Sequence, residues 1–356
     1  MTKPPVKDTA DLKDTAETGP MPLSAAAGGD WVSAHVFYQG DLTELLVNGI
    51  VPVVRELTHG APTASHAPAR GWFFLRYWEG GPHMRLRVLP ASGGDRAAIE
   101  ALITERLGQY LREQPSTQLM RQADYAQMAA VLAAREQMPT HAERLYPNNS
   151  VVFLPYQREH HRYGDGASVQ AVERHFVESS RLAARLLAGN WPGQRDTVAF
   201  CLILLTWLVG HPDPVRLASS SHGLYQWWAR VADGAGVDGA DFAERYRHQR
   251  DQLVGLGRAV RGIAARLPKD VDSGVLAVWG LSILRLRDAL AHQVAIGQFK
   301  PPGPGGGSAE VATEDSPTGV LSVLDICAHL MCNRLGSDDR GVLLAVSGRA
   351  SDRRAG

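Results

Sequence analysis

At 356 residues the chain is long enough to bury a substantial core, as one large unit or two modest ones. Lysine plus arginine and aspartate plus glutamate both number 37, so the formal charge is zero, which argues against a nucleic-acid partner that needs a basic surface. The three cysteines, Cys201, Cys327 and Cys332, form neither a C-x-x-C pair nor a disulfide framework, which fits a reducing, cytoplasmic setting.

Met1 to Asp30 is rich in Thr, Pro, Gly, Asp and Lys and has no apolar run of signal-peptide length, so it reads as a disordered N-terminal arm on a chain that is not secreted. Trp31 to Tyr38 alternates as a first strand, and Gly40-Asp41 opens a helix through about Val54. Gly71 to Leu89 reads as two strands joined by the tight turn Glu79-Gly-Gly-Pro82. Between Asp95 and Glu113, Ile99, Leu102, Ile103, Leu107 and Leu111 recur at helical spacing. Ser150 to Tyr156 is a short apolar strand, and the polar stretch Gln157 to Gly166 follows it. From Ala167 the pattern is helical, through Thr197–Gly210, Asp241–Arg266 and Val275–Gln298. The apolar run Val198 to Val209 is too short to span a bilayer, which takes roughly 20 residues, and predicts a buried helix. Lys300 to Pro317 contains a Pro/Gly-rich linker, after which Ser316 as N-cap and Pro317 as first helical residue start a helix running to about Leu335. No internal repeat is present.

The fold class predicted is α+β: a mostly antiparallel sheet layer with packed helices in the N-terminal half and a mainly helical C-terminal half. The domain reading is an arm over 1–30 and one domain over 31–350, sheet-containing in 31–156 and helical in 157–350, with a linker at 300–317.

Three constellations can carry chemistry. In the second hairpin strand, His83, Arg85 and Arg87 point one way and Met84, Leu86 and Val88 the other, giving an apolar back and a cationic front. Arg76 on the partner strand joins that front as a fourth cation if the register brings it opposite. Arginine suits bidentate capture of a carboxylate or phosphate and stays charged when partly desolvated; the alternative is an ordinary half-solvated sheet face. The second constellation is Tyr156-Gln-Arg-Glu-His-His-Arg-Tyr-Gly164, where Glu159 and Arg162 stand three apart, the spacing of neighbours in a helical turn. They form either an orienting pair within a site or a surface salt bridge worth little. His160 and His161 point apart in regular structure, and no Cys or Glu completes a zinc set. The third is Asp325-Ile-Cys-Ala-His-Leu-Met-Cys-Asn-Arg334, where Asp325, His329 and Asn333 share a helix face. His329 is the best acid/base candidate because imidazole titrates near neutrality, against the alternative of a buried structural histidine. With no glycine-rich phosphate loop, zinc spacing or nucleophile elbow, neither cofactor nor metal is expected.

In this order the His-Met-Arg-Leu-Arg strand, the Tyr-x-x-Glu-x-x-Arg-Tyr-Gly loop and the terminal His-x-x-x-Asn-Arg-Leu helix resemble the C-terminal elimination domain of class I lanthipeptide dehydratases. Such domains also occur as free-standing thiopeptide-type bacteriocin biosynthesis proteins and are related to thiopeptide pyridine synthases. The likeness runs from about Trp31 to Ala350. It implies that a separate, glutamyl-tRNA-dependent protein glutamylates Ser or Thr of a precursor peptide bearing a leader segment, and that this chain expels the glutamate to leave dehydroalanine or dehydrobutyrine. Carried over residue by residue, it implies catalytic roles for His329, Arg87, Arg162 and Glu159 and a substrate-binding role for Arg85. His83, Arg76, Tyr163 and Asn333 fall in or beside the same motifs and are taken as further substrate-binding residues. Gln157 stands where the family commonly has Glu, and Gly164-Asp165 where it has Gly-Gly, which puts the local loop geometry in question. Elimination needs stabilisation of enolate-like charge and of a departing dicarboxylate, and a cation cluster serves both. Two rivals stand beside it: pyridine formation from two dehydroalanines with loss of the leader, and a non-catalytic adaptor that binds the precursor by strand addition. No direct nucleic-acid or membrane partner is expected, the location expected is cytoplasmic, and a homodimer is allowed.

Overall fold

The computed structural model describes residues 31–59, 68–92, 94–136, 138–189, 195–211, 239–267, 269, 274–301 and 318–337. The predicted arm over 1–30, the Pro/Gly-rich linker and the Ser316-Pro317 helix start lie outside the described residues, apart from Lys300 and Pro301.

Four strands, β1 (Val32–Phe37), β2 (Ala69–Tyr77), β3 (His83–Pro90) and β4 (Ser150–Phe153), form one antiparallel sheet in the order β2-β3-β1-β4. Between β1 and β2 the chain is helical: α1 (Leu42–Glu44), a π-helical stretch Leu45–Ile50, and α2 (Val51–His59). Asp41 caps α1 as expected, accepting from Thr43 N. The helical stretch outlasts the predicted Val54. Pro52 has no N–H for the carbonyl four residues back and its ring crowds it, so the ladder widens to i→i−5, with Val51 N–H bonding Leu46 O. In the β2–β3 turn Gly80 and Gly81 have φ of +78° and +112°, and a Cβ at Gly80 would collide with the Tyr146 ring.

Helix α3 (Arg96–Glu113) buries Ile99, Ile103, Leu107 and Leu111, and with α2 it packs on the sheet. Helix α4 (Gln122–Arg135) has no counterpart in the sequence reading; its buried stripe is Tyr125, Ala129 and Ala133, mostly methyl-sized and so nearly silent in hydropathy. The predicted strand after it stops at Phe153, and the polar loop beyond contains one turn, α5 (His160–Tyr163), closed by Gly164 at φ +72°. Then come α6 (Ala167–Ala188), α7 (Arg195–Gly210), α8 (Gly239–Arg266), α9 (Val275–Ala295) and α10 (Thr318–Leu335). The α+β class and the helical C-terminal half are as predicted. The apolar run in α7 is a buried helix lined by α9 and α10, and no helix among the described residues is long and apolar enough to cross a membrane. Cys201, Cys327 and Cys332 are free, buried thiols.

The helical half docks on the sheet by satisfying the outer edge of β2. That edge strand leaves the N–H and C=O of Phe74 and Arg76 facing away from β3. Ser180 Oγ of α6 accepts Phe74 N–H at 3.1 Å, and Arg334 Nε of α10 donates to Phe74 O at 3.0 Å. The Asn333 amide accepts Arg76 N–H and donates to Arg76 O, both at 3.0 Å, as a neighbouring strand would.

Candidate functional site

Alternation along β3 behaves as read from the sequence. Met84, Leu86 and Val88 are fully buried on one face, and His83, Arg85 and Arg87 occupy the other. The register sets Phe37, His35 and Ser33 of β1 opposite His83, Arg85 and Arg87. From β2 it sets Tyr77, Leu75 and Phe73 opposite the same three. Arg76 pairs with Met84 and therefore lies on the apolar face, which corrects the expected fourth cation. Arg76 is a bracket instead: its Nε donates to Arg334 O at 3.2 Å and its Nη2 to Thr43 Oγ1 at 3.1 Å, while burial lowers its pKa to about 10.

Arg87 sits at the heart of the polar face, 5% exposed. Its Nη2 is 3.1 Å from His35 Nε2, its Nη1 donates to Leu86 O at 3.3 Å, and its guanidinium carbon lies 5.3 Å from the Tyr156 ring centroid. Beyond it, His35 Nδ1 is 3.1 Å from His83 Nε2, and His83 Nδ1 is 2.8 Å from Gly81 O. Burial first, then Arg87, His83 and Arg85, pushes His35 down to about 2. Burial first, opposed by the Gly81 bond, pushes His83 down to about 3. Burial, with Arg85 alongside, lowers Arg87 to about 9. His83, expected to bind substrate, is fully buried and serves this chain of bonds.

Arg85 differs from its neighbour by having carboxylates. Its Nη2 meets Glu79 Oε2 at 3.0 Å, and its guanidinium stacks 3.4 Å from the centroid of Tyr77. Tyr77 and Trp78 both donate to Glu136, at 2.9 and 2.7 Å. Burial lowers the Arg85 pKa, and Tyr77, Glu79, Glu159 and Glu136 oppose that, so these acids gather at the same end of the face.

The loop after β4 covers the face. Tyr156 packs edge-on to Phe73 and Trp31. Arg158 forms a bidentate pair with Glu173 of α6 at 2.6 and 2.9 Å, with side chains 7% and 1% exposed, which nails the loop to the helical half. Glu159 and Arg162 pair at 2.9 Å as their spacing predicts, and both are close to half exposed. Burial of Arg162 is outweighed by Glu159, Tyr163 and Glu136, so its pKa rises. Tyr163 is buried edge-on against Phe176, and burial drives its pKa well up.

His329 is 8% exposed on α10 and lies 3.5 Å from Asp325 Oδ2, one turn back; Asp325 Oδ1 accepts from Trp207 Nε1 at 2.7 Å. The shared helix face is as read, but Asn333 ends on the β2 edge, one turn and ~6 Å beyond His329. The structure thus gathers Arg85, Arg87, His83, Glu159 and Arg162 about one sheet face. Arg76 and Asn333 lie at the seam between sheet and helices, and His329 lies one turn before Asn333 on α10. Sequence reasoning missed His35, Glu79, Glu136, Arg158 and Glu173. His35 stood in the alternating first strand, Glu79 in the tight turn and Arg158 in the second constellation, but the sequence reading gave none of them a role. Among the described residues no group of three His, Cys, Asp or Glu side chains is arranged to hold a metal ion; His160 lies 2.7 Å from Asp165.

The family described as lantibiotic biosynthesis dehydratase, C-terminal, matches residues 31–346, and the chain belongs to it. Membership puts it in the maturation of ribosomally made, post-translationally modified peptides. Among solved structures it is similar to the pyridine synthase TbtD from thiomuracin biosynthesis, with TM-score 0.71 and 18% identity over 91% of this chain and 98% of that one. It is similar also to TsrL, with TM-score 0.59 and 18% identity over 91% and 95% of the two chains. The tRNA-dependent lantibiotic dehydratase MibB from Microbispora sp. 107891 matches at TM-score 0.50 and 19% identity, over 94% of this chain but 29% of that one. Among curated proteins none matches the sequence significantly.

Proposed function

We propose that the protein eliminates glutamate from glutamylated Ser and Thr residues of a precursor peptide, leaving dehydroalanine or dehydrobutyrine. The observation that carries this reading is Arg87, a buried cation whose contacts are an imidazole, a carbonyl oxygen and a phenol ring and, among the described residues, no carboxylate. Such a group is prepared for an anion that arrives with the substrate. A base removes the α-proton, the Cβ–O bond breaks, and its electrons leave on the glutamate carboxylate. A fixed donor aimed at that developing charge in a water-poor site contributes roughly 3 kcal/mol. Arg87 and Arg85 receive the departing dicarboxylate, Arg162 adds charge at the open side, Glu159 orients Arg162, and His329 moves the proton. A separate glutamylating protein supplies the substrate, and no cofactor takes part.

The test is glutamate release from a glutamylated peptide by purified protein. The Arg87→Ala and His329→Ala variants are each expected to lose ~100-fold or more in kcat; release at the wild-type rate by His329→Ala would remove the proton-transfer role. A second reading, pyridine formation between two dehydroalanines, draws on the likeness to TbtD over nearly its whole length. It predicts a macrocycle and a freed leader segment from a peptide that already contains dehydroalanines, with no need of Arg87.

A further inference from the structure

We propose that His35 is a positioning residue for Arg87, the last link of a one-way hydrogen-bond chain that starts at the Gly81 carbonyl and crosses the sheet through His83. The direction follows from chemistry. A carbonyl oxygen only accepts, so His83 Nδ1, 2.8 Å from Gly81 O, carries the hydrogen. In a neutral ring Nε2 is then an acceptor, and His35 Nδ1, 3.1 Å away, must donate to it. That leaves His35 Nε2 as the acceptor for an Arg87 Nη2 hydrogen at 3.1 Å. Both rings are therefore held as Nδ1–H tautomers, the less favoured form of free imidazole, and both nitrogens of each ring are occupied.

Neutrality is enforced from every side. His35 faces Arg87, Arg85 and His83, and its ring stacks 4.9 Å from that of His83, so an imidazolium would have no lone pair for Arg87 and would stand against two cations. Occupation of both nitrogens bars His35 from acting as a base, and what it can do is fix the guanidinium. With one hydrogen of Nη2 tied to His35 and one of Nη1 to Leu86 O, Nε is the Arg87 nitrogen buried with no partner at all, and each Nη keeps a second hydrogen. The Ser33 hydroxyl, directly across the strand pair, is likewise buried without a partner. The histidine chain thus selects which edge of Arg87 is presented. Its kinetic consequence rests on the reading of Arg87 as receptor of the departing glutamate; the hydrogen-bond chain itself does not.

Two conservative variants separate the halves of the device. Glutamine can place Oε1 where Nε2 accepted and so keeps the Arg87 bond; asparagine can place Nδ2 where Nδ1 donated and keeps only the His83 bond. Misplacement of a reacting-site group on this scale costs ~10-fold to ~100-fold in rate. His35→Asn is expected to lose that much kcat with KM little changed, and His35→Gln to recover most of it, at similar melting temperatures. Equal kcat in the two variants would overturn the proposal. A second arm needs no turnover. At neutral pH the 15N long-range spectrum of the wild-type protein should show His35 and His83 as neutral Nδ1–H tautomers, assigned by loss in the variants. The Arg87 Nη signals should be resolved in wild type and His35→Gln and averaged by rotation in His35→Asn. An Nε2–H tautomer at either ring, or an Arg87 that rotates freely in wild type, would also overturn it. If wild type releases no glutamate, the functional reading fails and this spectroscopic arm still decides the role of His35.

Discussion

Among the described residues two arginines are buried, Arg87 on the polar face of the sheet and Arg334 at the end of α10, 5% and 0% exposed. Neither meets a carboxylate among the described residues, and burial lowers them to about 9 and about 10. A buried charge without a counter-ion costs several kcal/mol, so each must be held by other means. Arg334 is held by structure: its Nε reaches Phe74 O and Ser180 Oγ, joining β2, α6 and α10 at one point, and its guanidinium lies 5.2 Å from the Phe176 centroid. Arg87 joins nothing across elements except an imidazole and a ring face. Nη1 and Nη2 of Arg334 and Nε of Arg87 are all buried without a hydrogen-bond partner, so the difference is one of reach: Arg334 Nε bridges β2, α6 and α10 as a rivet, whereas Arg87 is held by one imidazole and its own strand.

The strongest way to break that contrast is to remove each arginine in turn. Arg87→Met should abolish glutamate release, ~100-fold to ~1,000-fold, while leaving stability unchanged or slightly raised, because a desolvated charge is exchanged for a hydrophobe. Arg334→Met should do the reverse, costing ~2–4 kcal/mol in urea unfolding by leaving the Phe74 carbonyl without its donor. If both variants destabilise equally, Arg87 is a second rivet.

Acid offers a milder test, because each buried arginine has a neutral histidine beside it: His35 for Arg87, and for Arg334 the buried His175, which burial and Arg334 push down to about 3. Unfolded, these rings and His83 titrate near 6.5; folded, at about 2 to 3. Between those values the unfolded chain binds more protons, so stability falls as pH drops below 6.5, by up to ~1.4 kcal/mol per pH unit for each histidine. His35→Gln should remove one proton's share of that slope in urea titrations between pH ~4 and ~6; an unchanged slope would mean that His35 is already charged in the fold. The smallest effect concerns Arg85, whose charge Glu79 already meets. Glu79→Gln should lower KM for the glutamylated peptide ~2-fold to ~3-fold, as expected for one partly exposed ion pair. No change would show that Arg85 does not touch the substrate.

The polar and apolar faces of β3 were legible because a period of two is local: neither face of His83 to Val88 depends on anything far away. Arg76 was misplaced because its face depends on the loop between the strands. Tyr77 pairs with His83 across residues 78–82, and a turn one residue longer or shorter would have set Arg76 opposite the arginines. His35 escaped notice for a related reason: its importance arises from pairing with a strand 50 residues away. The Glu159–Arg162 pair, three residues apart, was readable, and so was the face shared by Asp325 and His329. Which way that face of α10 would dock was not, and Asn333 went to a strand edge because Phe74 and Arg76 left backbone groups that only side chains could reach.

That stitched edge also governs how the protein meets copies of itself. An open edge strand invites pairing with any extended chain, and three side chains, Ser180, Asn333 and Arg334, occupy the positions such a chain would take. Two of the three lie in the last turn of α10, so a helix made about 240 residues later guards a strand made early in synthesis. Until α10 arrives, the nascent sheet is open to misassembly, and a chain shortened before Asn333 would keep that hazard for its whole life.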